Sequence, residues 1–134
     1  MRKFGLALLV AMLGVSGNAA SCDSEEMKGM IESVNKISSQ RIDSVTTVMG
    51  AECEDGSLKY LYRLNDDKEG GIEFSKFDET QKQAFYDTQK NILNQIYCTS
   101  FRQLWEYTNG LIWYYEFDGK EFVRFEFKPS DCDK

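Results

Sequence analysis

The stretch LIWYYEFDGKEFVRFEF, residues 111–127, predicts a β-hairpin around which the rest of the chain can be arranged. Two apolar and aromatic runs with period-two alternation flank Asp118-Gly119, a dipeptide typical of tight hairpin turns. Alternation places one set of side chains on a single face, which we predict to be core: Leu111, Trp113, Tyr115, Phe117, Val123, Phe125 and Phe127. The sequence therefore predicts an antiparallel pair with one buried face.

The opposite face of this hairpin mixes aromatic and charged residues. It carries Tyr114, Glu116, Phe122 and Arg124, followed by Glu126. One interpretation is a solvated sheet surface with an exposed ion pair between Glu116 and Arg124. The other is a recognition surface, because Tyr and Arg are enriched at binding hot spots. We expect any protein partner to contact this face, with Tyr114, Phe122 and Arg124 as anchors.

Upstream, the pattern predicts a helix followed by another hairpin. Asp23 with Glu26 matches a capping box, and apolar residues then recur at helical spacing over about 24–38. Residues 42–53 and 58–64 read as strands on either side of Asp55-Gly56. A polar loop and a short strand at 72–74 are expected to follow.

The second half repeats this order. Asp78 with Gln81 predicts a helix that ends near Cys98, and Ser100 with Gln103 predicts a short helix to about Tyr107. The order helix-hairpin-helix-hairpin predicts an α+β domain. We expect a four- or five-stranded antiparallel sheet with helices packed on one face.

The first twenty residues have the pattern of a secretory signal peptide. Met1-Arg2-Lys3 is cationic, residues 4–15 form an apolar run too short to span about 30 Å of hydrocarbon, and small residues follow. We expect cleavage near Ala20, so that residues 21–134 form one domain in the bacterial periplasm or outside the cell. No later apolar run is long enough to predict a membrane span. A lipid anchor on Cys22 is the weaker alternative, because Ala19 replaces the expected Leu.

Four cysteines in an exported chain predict two disulfides, and three pairings are open: the residues are Cys22, Cys53, Cys98 and Cys132. We favour 22–53 with 98–132, because each would join one end of a helix to the close of the following strand or hairpin. The spacing fits neither a zinc ribbon nor a Cys-x-x-Cys redox centre.

Composition excludes several kinds of chemistry. The chain has no histidine, which removes Ser-His and Cys-His catalysis and His-ligated metals. Its 16 basic and 22 acidic residues give a charge of −6; without Arg2 and Lys3 the count is 14 against 22, or −8. This charge disfavours nucleic acid and anionic lipid as partners. A basic protein partner is favoured, and we expect no cofactor and no metal.

The segment from Cys98 through the Tyr-rich strand and the Asp118-Gly119-Lys120 turn to Cys132 resembles the C-terminal half of small, largely uncharacterised exported bacterial proteins. The resemblance covers about 35 residues of this sequence. It implies a disulfide between Cys98 and Cys132 and a location in the Gram-negative envelope. It implies no activity, substrate or catalytic residue.

These observations favour a non-enzymatic binding module of the periplasm. Such a module could be an envelope assembly factor, an inhibitor, or an exclusion or immunity-type protein. One alternative is a carrier of a small apolar or sugar ligand in a cleft between sheet and helix. Another is a carboxylate-based hydrolase that uses the acidic residues around Cys53.

Overall fold

The computed structural model describes residues 22–132, so the predicted signal peptide and its cleavage site lie outside the described residues. Two helices and five strands form the domain: α1 (Glu25–Lys36), β1 (Gln40–Arg41), β2 (Thr46–Glu54), β3 (Ser57–Leu64), α2 (Glu79–Thr99), β4 (Leu111–Phe117) and β5 (Lys120–Phe127). Single 3₁₀ turns lie at Phe74–Lys76, Arg102–Leu104 and Pro129–Asp131. The α+β class is confirmed.

Both helices begin at side-chain caps. At α2 the predicted capping box is present: Asp78 Oδ1 accepts from the Gln81 backbone N–H at 2.8 Å, and Gln81 Oε1 accepts from the Asp78 N–H at 3.0 Å. At α1 the cap is Ser24 rather than Asp23, and its Oγ accepts from the Met27 N–H at 3.2 Å. Each cap satisfies backbone N–H groups that have no partner within the helix.

The five strands lie side by side in chain order, β1-β2-β3-β4-β5. Both predicted hairpins, β2–β3 and β4–β5, are antiparallel. The hairpins meet through β3 and β4, which run parallel from Leu58 beside Leu111 to Leu64 beside Phe117. The sheet is therefore mixed, and the prediction of a wholly antiparallel sheet is wrong at this one pair.

Two local predictions between the hairpins are also wrong. Residues 72–74 do not form a strand; the chain instead makes a 3₁₀ turn at Phe74–Lys76, where Asp66 accepts from both the backbone N–H and the hydroxyl of Ser75. Phe74 is buried there among other phenylalanines. The short helix expected over 100–107 is limited to the 3₁₀ turn at Arg102–Leu104.

The core lies between one face of the sheet and the two helices, as predicted. One cluster of buried side chains joins both helices to the strands: Met27 from α1, Leu93 and Tyr97 from α2, and Leu58, Leu111, Trp113, Val123, Phe125 and Phe127 from the sheet. We call this covered side the inner face. The β4 and β5 residues in this cluster all belong to the set that alternation assigned to the core.

Two disulfides pair the cysteines as favoured from the sequence. Cys22, just before α1, bonds to Cys53 near the end of β2, with 6.3 Å between Cα atoms. Cys98, in the last turn of α2, bonds to Cys132 after β5, with 5.5 Å between Cα atoms. Because the Cys22 sulfur is bonded to Cys53, it cannot also carry a thioether-linked lipid.

We expect the purified protein to offer no thiol for alkylation when it is denatured without reductant. Replacing Cys98 and Cys132 together with Ala should lower the free energy of unfolding by roughly 3 to 4 kcal/mol, because the bridge closes a loop that otherwise gains entropy on unfolding. Mass spectrometry after alkylation measures the number of free thiols, and urea denaturation measures the free energy of unfolding. Four alkylated cysteines in unreduced protein would contradict the assignment.

A β-bulge in β2 is joined to the end of α1. Val48 pairs with Tyr62 but Gly50 pairs with Leu61, so Met49 is an extra residue. The Asn35 Oδ1 atom accepts from the Ala51 backbone N–H at 2.8 Å. Gly50 has a φ of 146°, and a Cβ on it would lie 2.5 Å from this same oxygen. The bulge therefore requires glycine and gives α1 a polar attachment to the sheet.

Replacing Asn35 with Ala should lower the free energy of unfolding by about 1 kcal/mol, because the Ala51 N–H loses its partner. Asn91→Ala, on the exposed side of α2, is the matched control, since both changes raise helix propensity and only one removes this bond. Urea denaturation measures the difference. Equal stability of the two variants would show that the bond does not stabilise the fold.

Candidate functional site

The side of the sheet away from the helices, which we call the outer face, is a network of paired charges. Glu54 accepts hydrogen bonds from Arg124 and, at 2.9 Å, from Lys59 Nζ. Arg124 Nε also donates to Glu126 at 2.7 Å. The bonds from Arg124 and Lys59 hold the pKa of the Glu54 carboxyl below its ordinary value. Those from Glu54 and Glu126 raise the pKa of the Arg124 guanidinium.

Three of the four residues predicted to form an interaction surface lie on this face. Tyr114 and Arg124 are cross-strand neighbours, and Lys59 Nζ lies 4.6 Å from the centre of the Tyr114 ring. Glu116 accepts from Arg63 Nε at 2.9 Å, so the predicted pair between Glu116 and Arg124 is wrong. The charged side chains of these ion pairs are thus already partnered within the protein.

Phe122 is not part of the outer face. A β-bulge lies between Tyr115 and Glu116, which pair with Val123 and Glu121, so Phe122 is an extra residue in β5. Its ring packs against four others at centroid distances of 5.4 to 6.1 Å: Phe74, Phe77, Phe85 and Phe117. Strict alternation fails here because a bulge places two consecutive residues opposite one.

The inner face holds a second candidate site, a cavity of about 370 Å³ that we call the aromatic cleft. Its lining comes from five parts of the chain: Ile42, Asp43, Val45 and Thr46; Tyr62 and Leu64; Ile72 and Phe74; Phe85, Gln89 and Leu93; and Trp113 and Tyr115. The strands β3 and β4 form its floor and α2 forms one wall. This volume lies in the range of small-molecule sites.

The floor is built from tyrosines brought together by the parallel pairing. Tyr62 and Tyr115 are register partners, and their rings stack with 5.1 Å between centroids and 20° between planes. In the wall, the Phe74 and Phe85 rings meet edge to face at 5.6 Å. These contacts hold the aromatic surfaces in one arrangement, since packed rings have few alternative rotamers.

Exposed isoleucines lie at the rim of the cleft. Ile42 is 53% exposed and Ile72 is 45% exposed, although both carry large apolar side chains. Each is held by the backbone: the Ile42 N–H donates to the Thr46 carbonyl at 2.9 Å, and the Ile72 carbonyl accepts from the Asp67 N–H at 2.8 Å. Exposed apolar surface next to a concave apolar site is typical of a ligand entrance.

The polar groups of the cleft are few. They are the hydroxyls of Tyr62, Tyr115 and Thr46, the Trp113 indole N–H, the Gln89 amide and the Asp43 carboxylate. Burial raises the pKa of the Tyr62 hydroxyl. Burial also raises the pKa of Tyr115, with further contributions from Tyr62 and Asp43. The tyrosine hydroxyls are therefore neutral at physiological pH and act as hydrogen-bonding groups.

Sequence reasoning found only part of this cleft. Alternation assigned Trp113 and Tyr115 to the core face, and a cleft between sheet and helix was one of the predicted alternatives. Ile42, Asp43 and Gln89 gave no comparable signal, because they come from separate segments that only the folded chain brings together.

Metal binding and membrane spanning find no support among the described residues. Among residues 22–132 no group of three or more Cys, Asp or Glu side chains is placed to hold a metal ion. In the same part of the chain, no helix has the length and apolar character needed to cross a membrane.

These features define a disulfide-bonded α+β protein with an aromatic cleft under its second helix. No family model and no curated protein matches the chain. Among solved structures, the fold is similar to that of a "putative secreted protein" from Pseudomonas aeruginosa, with a TM-score of 0.57 and 17% identity. The match covers 81% of this chain and 94% of the other. At this identity the likeness shows the fold alone.

Tyrosine hydroxyls held inside the protein should make its stability fall at alkaline pH. Burial raises the pKa of Tyr60 and of Tyr97 to about 12, from an ordinary value of 10.0. Above pH 10 the unfolded chain loses protons that the folded chain retains, so stability should fall between about pH 10 and 12.

Between pH 10 and 12, the free energy of unfolding of Tyr60→Phe should fall by about 1 to 2 kcal/mol less than that of the unmodified protein, because phenylalanine does not ionise in either state. Urea denaturation at several pH values provides the measurement. A variant with the same dependence on pH as the unmodified protein would show that Tyr60 is not protected from ionisation.

Proposed function

We propose that the protein is a secreted, non-enzymatic binding protein that carries a small, largely apolar ligand in the aromatic cleft. The observation that carries this proposal is the enclosed floor of stacked tyrosines, with exposed Ile42 and Ile72 at its rim. Burying such a rim against a ligand releases water from apolar surface, which favours binding.

The chemistry of the lining favours an apolar ligand over a sugar. A sugar carries many hydroxyls, and each one buried without a hydrogen bond costs free energy. Six side chains of the lining carry a polar group, and one of these, Asp43, lies at the exposed end. One or two polar groups on a mainly apolar ligand match this lining better.

Export is supported by several independent features. Two disulfides form in oxidising compartments such as the periplasm, and the first twenty residues have the pattern of a signal peptide. The similar fold in Pseudomonas aeruginosa belongs to a chain described as secreted. Together they favour the periplasm or the exterior of a bacterial cell.

A non-enzymatic role is favoured by the state of the acidic residues. Glu54 is the best-placed carboxylate near Cys53, but Arg124 and Lys59 hold its pKa low. A general acid in glycoside hydrolysis needs a raised pKa. The ion pairs of Glu54 are therefore better suited to stabilising the sheet.

A second candidate function is protein recognition by the outer face, as in an assembly factor, an inhibitor or an immunity-type protein. The ion pairs of Arg124 and the contact of Lys59 with the Tyr114 ring hold Tyr114 and Arg124 side by side, which would reduce the ordering cost of association. Without Phe122, however, this face has only one aromatic anchor among the predicted residues. We therefore rank it below the cleft.

The proposal predicts binding of a neutral aromatic probe. N-phenyl-1-naphthylamine should increase in fluorescence when the protein is added, because the cleft excludes water from it. Gln89→Trp places a large ring inside the cleft and should weaken the probe's affinity by at least about tenfold.

Asn91→Trp is the matched control, since it adds the same side chain to α2 at an exposed position outside the cleft. Circular dichroism checks that both variants are folded. If the unmodified protein does not bind the probe, or if both variants bind equally well, the cleft is not the binding site.

A further inference from the structure

The charge of the aromatic cleft is one-sided. Of the thirteen residues that line it, Asp43 is the only one with a formal charge, and neither Lys nor Arg is among them. The remaining polar groups are neutral hydroxyls, an indole N–H and an amide. A ligand in the cleft therefore meets one negative charge and no positive charge from the lining.

Asp43 keeps its charge available to a ligand. Its Oδ1 atom accepts from the Val45 backbone N–H at 2.9 Å, which fixes the carboxylate in a tight turn. Within residues 22–132 no ion pair involves Asp43. The nearby Arg41 donates instead to the Ser44 carbonyl, at 3.3 Å. This contrasts with Glu54 and Glu116, which are both paired on the outer face.

The turn that carries Asp43 is itself held against the sheet. The Ile42 and Asp43 N–H groups donate to the Thr46 carbonyl at 2.9 and 3.4 Å, and the Asn65 N–H donates to the Val45 carbonyl at 2.7 Å. The carboxylate is therefore positioned before any ligand arrives, which lowers the cost of ordering it.

The aromatic rings of the cleft favour the same sign of charge. The face of an aromatic ring carries negative electrostatic potential and attracts cations, most strongly where water is excluded. Tyr62, Phe74, Phe85, Trp113 and Tyr115 all line this cavity. An ammonium group with attached carbon groups could contact ring faces and the Asp43 carboxylate together, while its apolar part filled the remaining volume.

We propose that the aromatic cleft selects a small organic cation, an alkylated ammonium group attached to an apolar body, with Asp43 as its counter-charge. This inference rests on the proposed function, because it concerns the ligand of the same cleft. An anionic ligand is disfavoured, since its charge would be desolvated beside Asp43 with no cation in the lining.

Three probes of similar size test the sign of the charge. Benzyltrimethylammonium is a cation, neopentylbenzene replaces its nitrogen with carbon and is neutral, and phenylacetate is an anion. Each is titrated into protein loaded with N-phenyl-1-naphthylamine, and displacement is followed by fluorescence. The cation should displace the dye at a concentration at least about tenfold below that of phenylacetate.

Asp43→Asn supplies the decisive variant, because the amide oxygen can still accept from the Val45 N–H and preserve the turn. It should weaken displacement by the cation about five- to tenfold and leave the neutral probe within about twofold. Asp118→Asn is the matched control: it removes one charge from the exposed β4–β5 turn and should change neither probe's affinity.

The outcomes separate this inference from the proposed function. If the neutral probe binds but the cation does not, or if Asp43→Asn weakens both equally, the preference for a cation is wrong and the apolar cleft stands. Tighter binding of phenylacetate would also overturn the preference. If the dye itself does not bind, the proposed function fails as well.

Discussion

The parallel pairing of β3 with β4 is the constraint on which the rest of the structure depends. Each hairpin is a local unit, but parallel neighbours need a long connection that returns the chain to the same end of the sheet. Residues 65–110 make this connection, and α2 lies within it. The helix is consequently placed on the inner face, where it covers β5 more closely than β3.

The aromatic cleft follows from that placement. α1 contacts the sheet at β2, and α2 contacts it at β5, where Tyr86 stacks on Phe125 at 4.9 Å. The middle strands present Tyr62 and Tyr115 beside α2, whose Phe85, Gln89 and Leu93 side chains form one wall of the cleft. The disulfides join the ends of this arrangement, since each bridges a helix end to the sheet or to the chain just after it. A domain fixed in this way can keep a cavity open in the absence of its ligand.

The outer face shows how the same sheet meets solvent. Lys59, Glu54 and Arg124 come from three different strands and form ion pairs near Ile112, which is only 3% exposed. Such a network adds little stability per pair, since partly exposed ion pairs are worth about 1 kcal/mol or less. It does leave the acidic protein with few unpaired charges on this side, and Asp43 is distinct in lying beside the cleft.

The sequence alone predicted the features that depend on residues close together in the chain. Turn dipeptides located both hairpins, Asp78 and Gln81 located α2, and the placement of the cysteines at the ends of predicted elements led to the observed pairs. The direction in which the hairpins meet could not be predicted, because Asp55-Gly56 and Asp118-Gly119 specify pairs within each hairpin and not between them. The position of Phe122 depended on a bulge that no residue at that point signals. Asp43 and Gln89 are far apart in the sequence and come to one cavity only in the folded chain.

The central claim is that a small ligand binds on the inner face, between α2 and the middle strands. Aromatic ¹H–¹³C spectra of the protein, recorded while indole is added as a neutral aromatic probe, test it most directly. Our account predicts that the Tyr62 and Tyr115 ring signals shift and show nuclear Overhauser contacts to indole, while Tyr114 on the outer face does not respond. Contacts centred on Tyr114, with Tyr62 and Tyr115 unchanged, would contradict it.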